Sequence, residues 1–312
     1  MSDAPEQSSP PKIQTDDDPP NRAPGHTTVV VTVLVLCLIW GSTWLVIKTG
    51  LRDLPVFGSA AARFTLAALL LAFIAPWLHR REGGQRPVWW LVLSMGTLNF
   101  AIAYGVVYVA ETVIPSGLAS VLWAVFPMFT AALGHVWLPG ERLGPRQWLG
   151  FVVGLFGVVV LFVADLRGIG VAALWAGALL LLSPLSAAAG QIIIKRHGQS
   201  ASATLLNRDA MFVGAGLLWL CALPFEDQST AVLTPTAVGS VIYLAIIGTA
   251  VTFGLYYWLL RYVAASRLSL IAYVTPAVAL WLGWAVDGET LAWSTLLGSA
   301  LILVGIALAL RR

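Results

Sequence analysis

Arg63 stands well inside an apolar run, and Glu111 closes the run that follows. A charge held in hydrocarbon costs at least ~2.5 kcal/mol, so Arg63 must face protein, water, a counter-charge or a bound anion. Counted from the nearer end of its run it is about six residues deep, roughly 9 Å at helical rise, and Glu111 falls on the same side. Two uses follow: an ion pair between Arg63 and Glu111, or a contact from Arg63 to an anionic group of a substrate. An arginine that snorkels outward is the structural alternative.

The uncharged candidates are Trp40, Gly41 and Ser42 in the first run, where a Gly-Ser step thins a helix and lets a neighbour or a substrate reach its backbone. Helix packing explains the same step. Pro127 and Pro276 fall mid-run, each removing one backbone hydrogen bond and freeing a carbonyl four residues earlier. Such a carbonyl is useful where it lines a wet cavity, and a static kink is the alternative. Tyr104, Trp123, Tyr256 and Tyr273 lie deeper than interface-anchoring aromatics, and a buried hydroxyl or indole N–H needs a partner. With Asn99 and Gln191 they complete a candidate substrate-binding set. Ser42, His135 and Glu111 fall at different depths, so no acid, base and nucleophile converge. No catalytic residue, metal ligand set or cofactor is therefore expected. A phosphate-cradling loop of the Gly-Lys-Ser/Thr type is also missing from the sequence.

The elements that must hold these residues are set by composition. Of 312 residues 58% are hydrophobic and 11% charged, about half the charged share of a soluble domain. Runs of roughly twenty apolar residues recur, each long enough to cross a bilayer, without the alternation a barrel strand needs. The fold class expected is an all-α polytopic membrane protein with ten transmembrane helices, at 29–47, 57–77, 88–109, 118–138, 147–164, 171–194, 204–223, 237–260, 268–286 and 291–310. Residues 1–28, rich in Pro, Ser and Asp, read as a disordered cytoplasmic tail. Cys37 and Cys221 both lie within apolar runs, which argues against a disulfide or a zinc site. No basic run exceeds a pair, so a nucleic-acid partner is not expected.

Lys and Arg fix the expected topology: with the N-terminus in the cytoplasm, fourteen fall on the inner side and three on the outer. Both termini are then cytoplasmic. The chain also repeats itself. Pro127, Gly140-Glu141, Gly150 and Gly157 are echoed about 148 residues later by Pro276, Gly288-Glu289, Gly298 and Gly305. Two domains follow, a five-helix repeat over 29–164 and a second over 165–312. An odd number of spans inverts the second copy in the membrane, which is what alternating access requires. Gly150, Gly154 and Gly157 form a small-residue face on the fifth span, and Gly298 and Gly305 repeat part of it on the tenth, which suits packing of the two together. Glu141 and Glu289 each precede a helix whose dipole favours a carboxylate there.

Ile39-Trp40-Gly41-Ser42-Thr43, Ala62-Arg63-Phe64, Ala110-Glu111, Ile114-Pro115-Ser116-Gly117-Leu118-Ala119, Pro127, Tyr273-Val274-Thr275-Pro276 and Gly288-Glu289-Thr290-Leu291 together resemble the EamA-type ten-helix transporters of the drug/metabolite transporter superfamily. The likeness spans nearly everything after the tail. It implies a carrier in the bacterial inner membrane, commonly an exporter of amino acids or related metabolites, with a cavity between the halves. One departure is Ser183-Pro184-Leu185-Ser186, which stands where the first half has Trp40-Gly41-Ser42-Thr43. An efflux carrier for cationic compounds is the alternative, since aromatic rings suit cations as well as amino acids. The partners expected are the lipid bilayer and a small-molecule substrate, with a homodimer as an open alternative.

Overall fold

The computed structural model describes residues 25–138, 143–260 and 271–310, leaving aside the side chains at 81, 162, 165–167, 257, 260, 272, 273, 309 and 310. Apolar composition and the need to satisfy every backbone group internally produce helices throughout. The helices are α1 (His26–Gly50), α2 (Val56–Glu82), α3 (Trp89–Glu111), α4 (Ser116–Trp137), α5 (Pro145–Val160), α6 (Val171–His197), α7 (Ala203–Phe225), α8 (Pro235–Tyr256), α9 (Ile271–Asp287) and α10 (Trp293–Leu310). Their exposed positions are apolar, among them Phe73, Trp89, Trp175 and Phe225, as a surface bathed in lipid demands. The protein is an all-α polytopic membrane protein. Among the described residues, β pairing is limited to one bridge between Gln85 and Ala201.

The helices pack under one rule of exchange. α1 lies on α9 and α8; correspondingly, α6 lies on α4 and α3. α3 packs on α7 as α8 packs on α2, while α2–α7, α5–α10 and α4–α9 are each their own counterpart. Replacing each helix in these pairings by the one five places later therefore returns the same set of pairings. Because each half has five spans, its copy runs the other way through the bilayer.

Small residues draw the self-paired helices together. A Cβ added to Gly305 would stand 2.5 Å from the Gly154 backbone nitrogen, and one at Gly157 would stand 2.8 Å from the Gly298 carbonyl. Two helices without side chains at their crossing gain dispersion contact that lipid tails cannot match. The Gly stripes thus pack α5 on α10.

Several helices depart from α geometry, α6 among them with a turn at Leu181. α4 breaks at Ala124 and Val125, and Pro127 opens its second segment, Phe126–Trp137. Having no N–H, Pro127 suits the first turn of a new helix. α3 and α8, counterparts under the exchange, each carry a π turn, at Gly96–Ile102 and Ile246–Val251. One extra residue in a turn rotates side chains out of register and is common where helices present polar groups.

Candidate functional site

The polar residues collect along the seam where the two halves face each other. The seam has a near end, where α1 begins, and a far end, where α1 finishes at Gly50. On α1, Ser42 Oγ donates to its own helix at the Ile39 carbonyl, 2.8 Å away, and meets the Tyr243 hydroxyl of α8 at 2.6 Å. Trp40 packs edge-on against Phe253 and tilted against Tyr256, with centroids 6.4 and 5.6 Å apart. Gly41 does something different. Its helix face lies against Val278 of α9, whose Cγ1 would stand 2.5 Å from an added Cβ, so it sets the α1–α9 approach. Pro276 is buried within α9. The side chain of Tyr273 lies outside the described residues.

The opposite wall comes from α3, α4 and α6. Trp123, half-buried beside the break in α4, donates from Nε1 to Ser183 Oγ at 3.0 Å, stacks on Phe126 and leans on Trp44 of α1. Asn99, on the π turn of α3, donates to the Ala187 carbonyl at 3.0 Å and presses on Gly190, both of α6, while its Oδ1 has no donor. The Ser186 hydroxyl binds the Leu98 carbonyl at 2.8 Å. Thus the serines of Ser183-Pro184-Leu185-Ser186 tie α6 to α4 and α3. Gln191, expected among the site residues, is exposed on α6.

Arg63 is 2% exposed. Its Nη2 donates to Thr249 Oγ1 on the π turn of α8 at 3.3 Å, and its guanidinium lies over the Tyr104 ring, 4.8 Å from the centroid. Arg63 therefore does not snorkel. The direct ion pair expected with Glu111 is not made: among the described residues no Arg63–Glu111 approach falls within 4.0 Å, and both Glu111 oxygens are without donors. A hydroxyl from the other half and two aromatic faces take the guanidinium instead.

Three carboxylates cap helices at the ends, and two of them, Glu82 and Glu226, lie outside the capping expected from the sequence. At the near end Glu82 accepts from the N–H groups of Ala203 and Thr204, at 2.7 and 3.1 Å, and from the hydroxyl of Thr204, capping α7. At the far end Glu226, which follows α7, accepts from the N–H groups of Phe57 and Gly58 at 2.8 and 2.9 Å, capping α2. Each of this helix pair is thus capped by the other's final carboxylate, where the dipole favours negative charge. The sequence carries a signal for this: the two acids lie within five residues of the ends of apolar runs, 57–77 and 204–223, that are counterparts in the two repeats.

Glu289 caps a helix too, though not the one that follows it. Gly288, at φ 68°, turns the chain so that the Glu289 N–H bonds back to the Gly283 carbonyl at 3.0 Å. Its carboxylate then reaches α4, accepting from the Ser116 N–H and hydroxyl at 2.6 and 2.8 Å and the Gly117 N–H at 3.0 Å. Glu141, its echo, lies outside the described residues. His135 is held locally, its Nδ1 accepting from the Leu143 N–H at 2.9 Å.

A membrane bundle whose halves exchange places around a polar, aromatic seam has the architecture of a transporter. The sequence matches the EamA-like transporter family twice, over residues 27–163 and 174–311, and the chain belongs to that family, within the drug/metabolite transporter superfamily. It is 32% identical to an uncharacterised inner membrane transporter, YedA, of Escherichia coli K12 over 83% of each chain. It is 30% identical to a probable amino-acid metabolite efflux pump of Salmonella typhimurium, covering 88% of this chain and 91% of that one. A solved crystal structure superposes with a TM-score of 0.65 over 91% of this chain and 97% of that one, at 20% identity. That likeness bears on the fold.

Proposed function

We propose that the chain is a secondary carrier that exports amino acids or related small metabolites across the bacterial inner membrane by alternating access. The observation that carries the reading is the exchange rule in the packing. Since the main pairings of each helix recur in its counterpart, the two halves can swap conformations, and the swap turns a cleft from one membrane face to the other. In this reading the seam lined by Trp40, Ser42, Trp123, Tyr243 and Tyr256 holds the solute. Asn99 and Arg63 brace it from the π turn of α3 and against that of α8. Both termini face the cytoplasm, following the fourteen-to-three division of Lys and Arg. The substrate class is supported by the efflux-pump name of a 30% identical relative.

Counterflow in proteoliposomes tests it. Vesicles preloaded with unlabelled L-amino acids should accumulate external label transiently, because a carrier exchanges and a pore does not. Label that equilibrates at the same rate with and without preload would overturn the mechanism. Exchange confined to cationic amphiphiles would overturn the substrate class.

A further inference from the structure

Besides Asn99 Oδ1, the described residues of the seam leave a group of buried polar atoms without partners, and these lie together in its far third. Among the described residues, Arg63 Nε and Nη1 find no acceptor. Tyr108, 2% exposed, has an unpartnered hydroxyl, and Glu111, 1% exposed, has two unpartnered oxygens. Tyr108 is four residues after Tyr104 and three before Glu111 on α3, so the three lie along one face, and the Arg63 guanidinium rests on the Tyr104 ring of that face, 4.8 Å from its centroid.

Among the described residues no hydrogen bond engages these atoms. Lys48 of α1 donates to the Ile114 carbonyl at 2.8 Å and stands 4.0 Å from Glu289, whose oxygens are already held by Ser116 and Gly117. A buried cation and a buried anion left apart are costly on each side; direct contact would relieve both. Holding them apart keeps a donor-rich end facing an acceptor-rich end, with a hydroxyl that can serve either. A guanidinium offers two parallel N–H groups to a carboxylate, and a carboxylate accepts from an ammonium. A single small molecule meets both needs only if it carries both charges.

We propose that Arg63, Tyr108 and Glu111 form a headgroup site for zwitterionic α-amino acids, Arg63 taking the α-carboxylate and Glu111 the α-ammonium. The substrate's side chain then extends toward the aromatic seam: Thr249, which holds Arg63, follows Gly248, and Gly248 packs against Thr43 beside Ser42. This inference rests on the carrier reading and narrows it.

The test is counterflow with the full chain in proteoliposomes, first with a labelled mixture of the twenty L-amino acids. Each one that exchanges is then offered as its carboxamide and as its N-acetyl derivative. Wild type should lose at least about tenfold in exchange with either derivative, as expected when one charge-assisted contact is removed. Arg63→Gln should abolish the preference for acid over amide and leave that for free over acetylated amine. Glu111→Gln should do the reverse. If the Gln variants fail to run as monodisperse protein, Arg63→Lys and Glu111→Asp, which keep the charges, should each weaken only the matching preference. Wild type that exchanges parent and derivatives equally, or variants that lose all three forms in proportion, would overturn the headgroup site while leaving the carrier standing. Absence of exchange with any L-amino acid would overturn the amino-acid reading itself and this inference with it.

Discussion

Ser42 and Tyr243 meet at 2.6 Å across 201 positions of sequence, so a hydroxyl of the first half is paired with one of the second. A hydrogen bond between membrane helices contributes on the order of 0.6 kcal/mol; losing it should leave the fold intact. Tyr243→Phe and Ser42→Ala are each expected to lower counterflow a few-fold at near-wild-type Tm, and the double variant should do no worse than the poorer single, because both remove the same contact. Additive losses would show that the two hydroxyls act separately. Glycines give a second, sharper contrast. An added Cβ at Gly305 meets backbone of Gly154 and Gly150, whereas at Gly216 nothing lies within 4 Å. Gly305→Ala should therefore destabilise by about 1–3 kcal/mol, while Gly216→Ala should be neutral or stabilise by up to ~1 kcal/mol through helix propensity; thermal unfolding in detergent measures both. Sequence makes the depth of Arg63 plain, since one charge in an apolar run is conspicuous. It does not reveal Tyr243 or Thr249 as partners, because those contacts depend on how distant helices rotate when they pack.

Helices α2 and α7 exchange caps, Glu82 holding the start of α7 and Glu226 the start of α2. A carboxylate that satisfies two orphan N–H groups is worth about 1 kcal/mol, and its full charge adds to the dipole interaction. Glu82→Gln and Glu226→Gln should each lower stability by about that much. The two sites are at opposite ends of the pair, so the double variant should show the sum. Urea or thermal unfolding that gave a double-variant loss well below the sum would mean that α2 and α7 are not capped independently. Hydropathy places these helices within a few residues, for instance 204–223 against the observed Ala203–Phe225. What hydropathy omits is local geometry. Pro127 signals a disturbance in α4, but the break at Ala124 and Val125 and the π turns of α3 and α8 have no composition of their own. Asn99 and Thr249, on the two π turns, reach across to α6 and α2, and such contacts are set by packing between distant helices.

At the scale of the molecule, the contacts sort the helices into two groups, which the carrier reading would move, and a frame. α1, α8 and α9 pack together, as do α6, α3 and α4, while α2–α7 and α5–α10 join the halves through caps and glycines. The echo of Gly-Glu and heptad glycines in the sequence announces two related halves, yet not that Glu289 reaches from one group to the other. It is this carboxylate, accepting from Ser116 and Gly117, that shuts the far end where α9 meets α4. If the groups rock against the frame, that contact must open once per cycle. A reversible thiol-bridging reagent across Ser116→Cys and Glu289→Cys, with Cys37 and Cys221 replaced by Ala, should then arrest counterflow, and reductant should restore the rate of the uncross-linked double variant. The same bridge across Thr65→Cys and Trp219→Cys, which face each other within the α2–α7 frame, should leave transport at its own uncross-linked level. Full transport with the far end bridged would mean that α4 and α9 stay together through the cycle. The seam between them could not then be the moving boundary, and the solute path would have to run elsewhere in the bundle.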